Sequence, residues 1–338
     1  MVGSSFGMHR GMNLLRSFLE YNLWICSIIA IFGIFTNVII IAVFSRLGYR
    51  NTINISMTCI AFWDLVRCAC GLTHRVYGVI RVVNPADGRT WENFTRASVL
   101  YLYTFVVYLS SVLAGYVAVE RCLCVSIPFT VKSVLTPRFT VVAMVTLSVV
   151  CLGSFVIVFG FYDYVYVFSD KYNQTIGIFT FSEFYYQNPK IVPYYNLIGI
   201  LWPLVSFIVI VVCTVIIIIH LQRSSKFRSN AKASETKKEE SAGLSQRDKQ
   251  VVKMMLVVII FYIINLFPRI VLFFAKIFVP EFYINKLYHN LFFIVVYFLF
   301  LFDYINSASN LIIFVSMSSN FRAAFLQMFG CATVEVIH

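Results

Sequence analysis

Seven long apolar runs constrain this chain more than any other feature: about residues 22–45, 52–73, 97–123, 139–161, 192–221, 251–275 and 288–316. A helix needs roughly 20 apolar residues to cross the hydrocarbon of a bilayer, and each run reaches that length. A backbone in lipid must satisfy its own hydrogen bonds, which runs of this kind do as helices. The prediction is an all-α membrane protein, a seven-transmembrane helix bundle whose two ends lie on opposite sides. No internal repeat is visible, which argues against a transporter built from inverted halves.

Composition agrees. Hydrophobic residues make up 60% of the chain and charged residues only 12%, against about 25% charged in a soluble protein. The net charge of +12 does not call for nucleic acid. In a membrane protein, basic residues sit in loops at lipid headgroups, so membrane lipids are the expected partners. Residues 1–21 lack a continuous apolar core. They are expected to form an extracellular N-terminus, with the first membrane helix acting as an uncleaved signal. The nine cysteines include no Cys-x-x-Cys and no Cys/His cluster, and most read as small hydrophobes. No paired histidines, metal-ligand spacing or Ser-His-Asp set is visible, so the chain does not read as an enzyme.

Two glycosylation sequons set the orientation. Asn93-Phe-Thr95 and Asn173-Gln-Thr175 lie in the second-to-third and fourth-to-fifth connections. Both face outward only if the amino end does, which predicts a multi-pass plasma-membrane protein with its N-terminus outside. Residues 161–190 hold two β-rich runs around the polar turn Ser169–Gln174, predicting a β-hairpin over the outer mouth. The linker 223–250 is polar and is expected to be mobile. Phe321-Arg-Ala-Ala-Phe325 is amphipathic, predicting a short eighth helix on the inner surface within 317–338. The receptor domain proper would be 22–316.

Chemistry concentrates at few positions. Glu120-Arg121 closes the third apolar run, and Pro128 follows seven residues after Arg121. Charges at the foot of a membrane helix are costly and mark function. This spacing resembles the signature of class A (rhodopsin-like) G-protein-coupled receptors. Further matches follow in order: Asn37, Ala61-Phe-Trp-Asp64, Pro203, Pro268, Asn310-Leu-Ile-Ile-Phe314 and Phe321-Arg322. Residues from Glu120 to Arg138 also look like invertebrate neuropeptide or chemosensory receptors.

The resemblance implies a receptor that passes an extracellular peptide or small-molecule signal to a heterotrimeric G protein. A neuropeptide is the leading expectation and a chemosensory ligand the alternative; a seven-helix transporter or channel is the reading from another class. Coupling residues would be Glu120, Arg121, Pro128, Asp248, Pro268, Asn310 and Phe314, with Asp248 as the resting partner of Arg121 and Pro268 as the pivot of the sixth helix. No cofactor is expected beyond the allosteric sodium ion that the family's matching positions hold. Asp64, Ser110, Asn306, Ser307 and Asn310 would form that site.

Departures are plain: Leu311 replaces the family's proline, Phe314 its tyrosine and Leu266 its tryptophan. The cysteines of the extracellular disulfide are missing. Residues 288–316 contain no lysine for retinal, and Tyr103 stands where amine receptors carry an aspartate. A ligand pocket is expected from Arg67, Tyr103, Leu266, Arg269, Asp303 and Tyr304. Counting depth along the helices places Arg67 and Asp303 at one level, predicting an ion pair between them. Arg269 is left without a partner and suits an anionic ligand group. Cys331, after the eighth helix, is either a palmitoylation site or a free thiol.

Overall fold

A computed structural model describes residues 2–127, 131, 133–232, 246–282 and 286–330; within 2–16, 221, 223–232 and 246–255 only the backbone is described. The sites expected at Pro128 and Cys331 lie outside the described residues, as does the side chain of Asp248. Among the described residues, seven helices are long and apolar enough to cross a membrane. They run Val2–Leu47, Thr52–Arg75, Val99–Ser126, Pro137–Gly153, Ile191–Lys232, Gln246–Phe278 and His289–Met317, and are called the first to seventh spans below.

Local chemistry starts the helices where polar residues meet apolar runs. Asn51 accepts a hydrogen bond from Ile53 N at the second span. Thr136 accepts one from Phe139 N at the fourth, with Pro137 at the first helical position. There the missing proline N–H costs nothing. Ser318 caps the eighth helix, Ser319–Met328, through Phe321 N.

The third span is the most enclosed. Phe105, Leu109 and Leu113 from it are fully buried, and Phe105 stacks on Phe155 at 4.5 Å. Leu311 and Phe314 leave the seventh span intact to Met317. Phe314 lies edge-on to Phe44 at 5.5 Å and 5.4 Å from Phe321. An aromatic trio therefore ties the eighth helix to the first and seventh spans.

The predicted hairpin forms. β1 (Tyr162–Ser169) pairs antiparallel with β2 (Gln174–Phe181), from Tyr162 opposite Phe181 to Ser169 opposite Gln174. No disulfide holds it. Instead Asn93 Nδ2 donates to Gly177 O at 2.8 Å, Gly177 N to Thr90 Oγ1 at 3.0 Å, and Tyr164 Oη to Thr90 O at 2.8 Å. Tyr101 and Tyr162 add a 2.8 Å hydroxyl contact. Burial pushes the Tyr164 hydroxyl above its ordinary pKa.

Three features go beyond the apolar runs. Residues 2–21 are helical and continue the first span; the segment has no proline, so nothing interrupts the ladder. The polar linker is shorter than 223–250, because helix persists to Lys232 and resumes at Gln246. Two helices, Tyr77–Val83 and Pro85–Ala97, stand between the second and third spans. Asn84, accepting from Ala86 N and Asp87 N ahead of Pro85, is the start signal that went unread.

Candidate functional site

On the second span Asp64, Arg67, Gly71 and Arg75 are spaced three, four and four. This is one helix face, and all four residues are buried. On the seventh span Asp303, Asn306, Ser307, Asn310 and Phe314 form the facing stripe, likewise buried. Gly71 permits the close approach. A Cβ there would sit 1.6 Å from Tyr304 Oη.

Between these stripes lie two ion pairs. Arg67 Nη2 is 2.7 Å from Asp64 Oδ1, with both side chains at most 1% exposed. Asn310 Nδ2 donates to the other carboxylate oxygen at 3.0 Å, and Ser110 Oγ to Oδ1 at 3.5 Å. Ser307 Oγ donates to the Asp64 backbone carbonyl at 3.3 Å, and Asn37 Nδ2 to Ser307 O at 3.1 Å. The side-chain amide of Asn306 is buried with neither atom paired.

The second pair is Arg269 Nη2 with Asp303 Oδ2 at 2.5 Å. Tyr103 Oη donates to the same oxygen at 3.2 Å and Asn265 Nδ2 to Oδ1 at 3.2 Å. One carboxylate thus gathers the third, sixth and seventh spans. The expected Arg67–Asp303 pair does not form, and Arg269 is not left over. Arg67 reaches back one turn along its own helix, while Arg269 crosses to Asp303. Asn265 was also missed. It lies four residues before Arg269, on the same face of the sixth span, and that spacing was readable. Leu266 is buried beside it.

The five residues expected to hold sodium converge, yet they do not fit the ion. Both Asp64 carboxylate oxygens are engaged, one by a guanidinium that already neutralises the charge. A second cation would meet repulsion from Arg67.

At the opposite end of the third span Glu120 and Arg121 are buried and paired with one another. Ser56 Oγ donates to Glu120 Oε2 at 3.1 Å, and among the described residues Arg121 Nε has no hydrogen-bond partner. Pro268 lies inside the sixth span, where its ring removes the bond to the Ile264 carbonyl.

Towards the hairpin, a cavity of about 460 Å³ opens among Tyr108, Tyr195, Asn196, Phe273, Lys276 and Pro280. Tyr108 also lies under the Arg269 guanidinium, 6.0 Å from its ring centroid. The cavity wall therefore touches the second ion pair. Asn173 is exposed at the hairpin tip with φ of 49°. Asn93, by contrast, is 4% exposed and its amide is committed to Gly177 O. In this conformation Asn93 serves as a hairpin anchor, and a glycan on its nitrogen would require the bond to Gly177 O to open.

Among the described residues, seven membrane-length helices surround an interior charge network, the arrangement of a multi-pass seven-helix membrane protein. The chain belongs to the serpentine type 7TM GPCR chemoreceptor Srw family, whose model matches residues 23–332. Among curated proteins, none is similar enough to match it.

Proposed function

We propose that this receptor senses an external small molecule and relays its binding to a heterotrimeric G protein. The family's description as chemoreceptors favours this alternative over the neuropeptide first expected. The hairpin face would be extracellular, in the plasma membrane, with Asn173 as the glycan site. The single observation that carries the reading is the double role of Tyr108. It lines the 460 Å³ cavity and underlies Arg269. A ligand that displaces Tyr108 or Phe273 disturbs the Arg269–Asp303 pair, one residue past Pro268. The sixth span then loses its tie to the seventh at its weakest hydrogen-bonded turn.

At the inner end, Arg121 exchanges Glu120 for the G protein. Asp248 as a second resting partner rests on spacing, since it precedes Pro268 by twenty residues, about 30 Å of helix.

The test is nucleotide exchange on reconstituted G proteins with a panel of small metabolites. Agonism by a compound, lost in Tyr108→Ala at equal surface expression, is expected. Ion flux through the purified protein without any G protein would instead make it a channel.

A further inference from the structure

The hairpin half of the bundle buries three arginines, Arg67, Arg75 and Arg269, against two carboxylates, Asp64 and Asp303. Both carboxylates are taken, Asp64 by Arg67 and Asp303 by Arg269. Arg75 is 5% exposed. Its guanidinium donates to Tyr304 Oη at 2.6 Å and to Gly71 O at 3.3 Å, and lies 4.7 Å from the Tyr304 ring centroid. These contacts hold the group in place without neutralising it.

Among the described residues no carboxylate lies within 4 Å of Arg75. Glu20 faces Arg81, and Glu92 serves Arg89 and Arg96. Asp163, Asp170, Glu183 and Glu281 are exposed. Residues 1–16 and 283–285 contain no acid. A buried cation without a counter-charge is strongly disfavoured.

Arg75 also lines a cleft between the first, second and seventh spans, with Asn22, His74, Tyr77, Tyr297 and Phe300. The cleft contains about 300 Å³ of unfilled space, mouth included, of which only about 10 Å³ is open to a water-sized sphere, about enough for one water. Three of its polar side chains, Asn22, His74 and Arg75, are themselves more than nine-tenths buried. Asn22 is held by its bond to Tyr297 O at 3.1 Å and His74 by one to Thr95 Oγ1 at 2.8 Å.

We propose that Arg75 is a monovalent-anion site: a small anionic head, either halide or carboxylate, enters this cleft and completes the charge balance of the bundle. So tight a cleft restricts the anion to a small head, and the planar guanidinium suits a carboxylate edge or a single ion. Because Arg75 holds Tyr304, the neighbour of Asp303, the anion would also set how firmly the seventh span is seated.

The test uses the full chain in zwitterionic nanodiscs, at constant sodium and with ionic strength held by a bulky sulfonate buffer. The unfolding midpoint is followed by tryptophan fluorescence while chloride, formate or butyrate is titrated. A saturable rise of several degrees is expected, absent in Arg75→Gln and shifted about tenfold to higher concentration in Arg75→Lys. A response to chloride alone identifies a resident halide; a response to formate or butyrate identifies a ligand carboxylate. Either supports the site.

If Arg75→Gln does not fold, chloride-35 line broadening on the unaltered chain decides, with formate expected to suppress it competitively. No saturable response, a response retained in Arg75→Gln, or, in the second measurement, no saturable broadening of the chloride line overturns the proposal; broadening that formate leaves unchanged identifies a halide-only site. The readout is binding to the chain itself, so its failure leaves the receptor reading standing, and the reverse holds too.

Discussion

Arg269 Nη2 lies 2.5 Å from Asp303 Oδ2, joining the sixth span, one residue past Pro268, to the seventh. Removing one partner of a buried pair typically costs about 3–5 kcal/mol, because the other charge is stranded. Asp303→Asn should therefore lower the unfolding midpoint by several degrees and raise basal nucleotide exchange several-fold. Asp303→Asn with Arg269→Leu should recover most of the stability but keep the raised basal rate, since the tie stays cut. Basal exchange unchanged at equal surface expression would mean that this pair does not hold the resting state.

Arg67 supplies the cation at Asp64. Replacing sodium chloride with N-methylglucamine chloride should leave the unfolding midpoint of the unaltered receptor where it is. Arg67→Met, which frees the carboxylate, should make the midpoint sodium-dependent. Sodium stabilisation of the unaltered chain would show that the guanidinium can be displaced.

Gly71→Ala places a methyl group 1.6 Å from Tyr304 Oη. Overpacking of this kind costs about 1–3 kcal/mol, and here it also pushes Tyr304 away from Arg75. The variant should be expressed at a lower level and melt earlier. Tyr304→Ala in the same chain should relieve the clash, and a double-mutant cycle on the midpoint measures the coupling. Additive losses would place the strain elsewhere.

Asn173 and Asn93 should behave oppositely. Asn173→Gln should abolish the gel shift on enzymatic deglycosylation. Asn93→Ala should leave the shift in place yet loosen the hairpin, since a lost buried hydrogen bond costs about 1 kcal/mol. Hydrogen exchange at Gly177 reports the loosening. A shift that survives Asn173→Gln would restore Asn93 as an acceptor.

Much of this was readable residue by residue. The apolar runs announced the spans, Ser169–Gln174 announced the hairpin turn, and Phe321-Arg-Ala-Ala-Phe325 announced the eighth helix. The matches from Asn37 to Arg322 pointed to the receptor fold. Missed were Arg75, which completes the stripe of Asp64, Arg67 and Gly71, and the helix start at Asn84-Pro85. Both were written in spacing and went unread.

The pairing of charges was a different matter. Counting 1.5 Å per residue along a helix gives only a position along its axis. Depth says nothing of how each helix is rotated about its axis or how far it tilts, and those decide which guanidinium reaches which carboxylate.

The linear order of residues thus determined the number of membrane-length helices and the hairpin between the fourth and fifth, because these follow from local hydrogen bonding and the cost of polar groups in lipid. Only the tertiary packing decided that Arg67 turns back to Asp64, that Arg269 crosses to Asp303, and that Arg75 has no carboxylate beside it among the described residues. Those outcomes depend on ångström-scale rotation of helices packed against one another, and in a low-dielectric interior a few ångströms separate a paired charge from a stranded one.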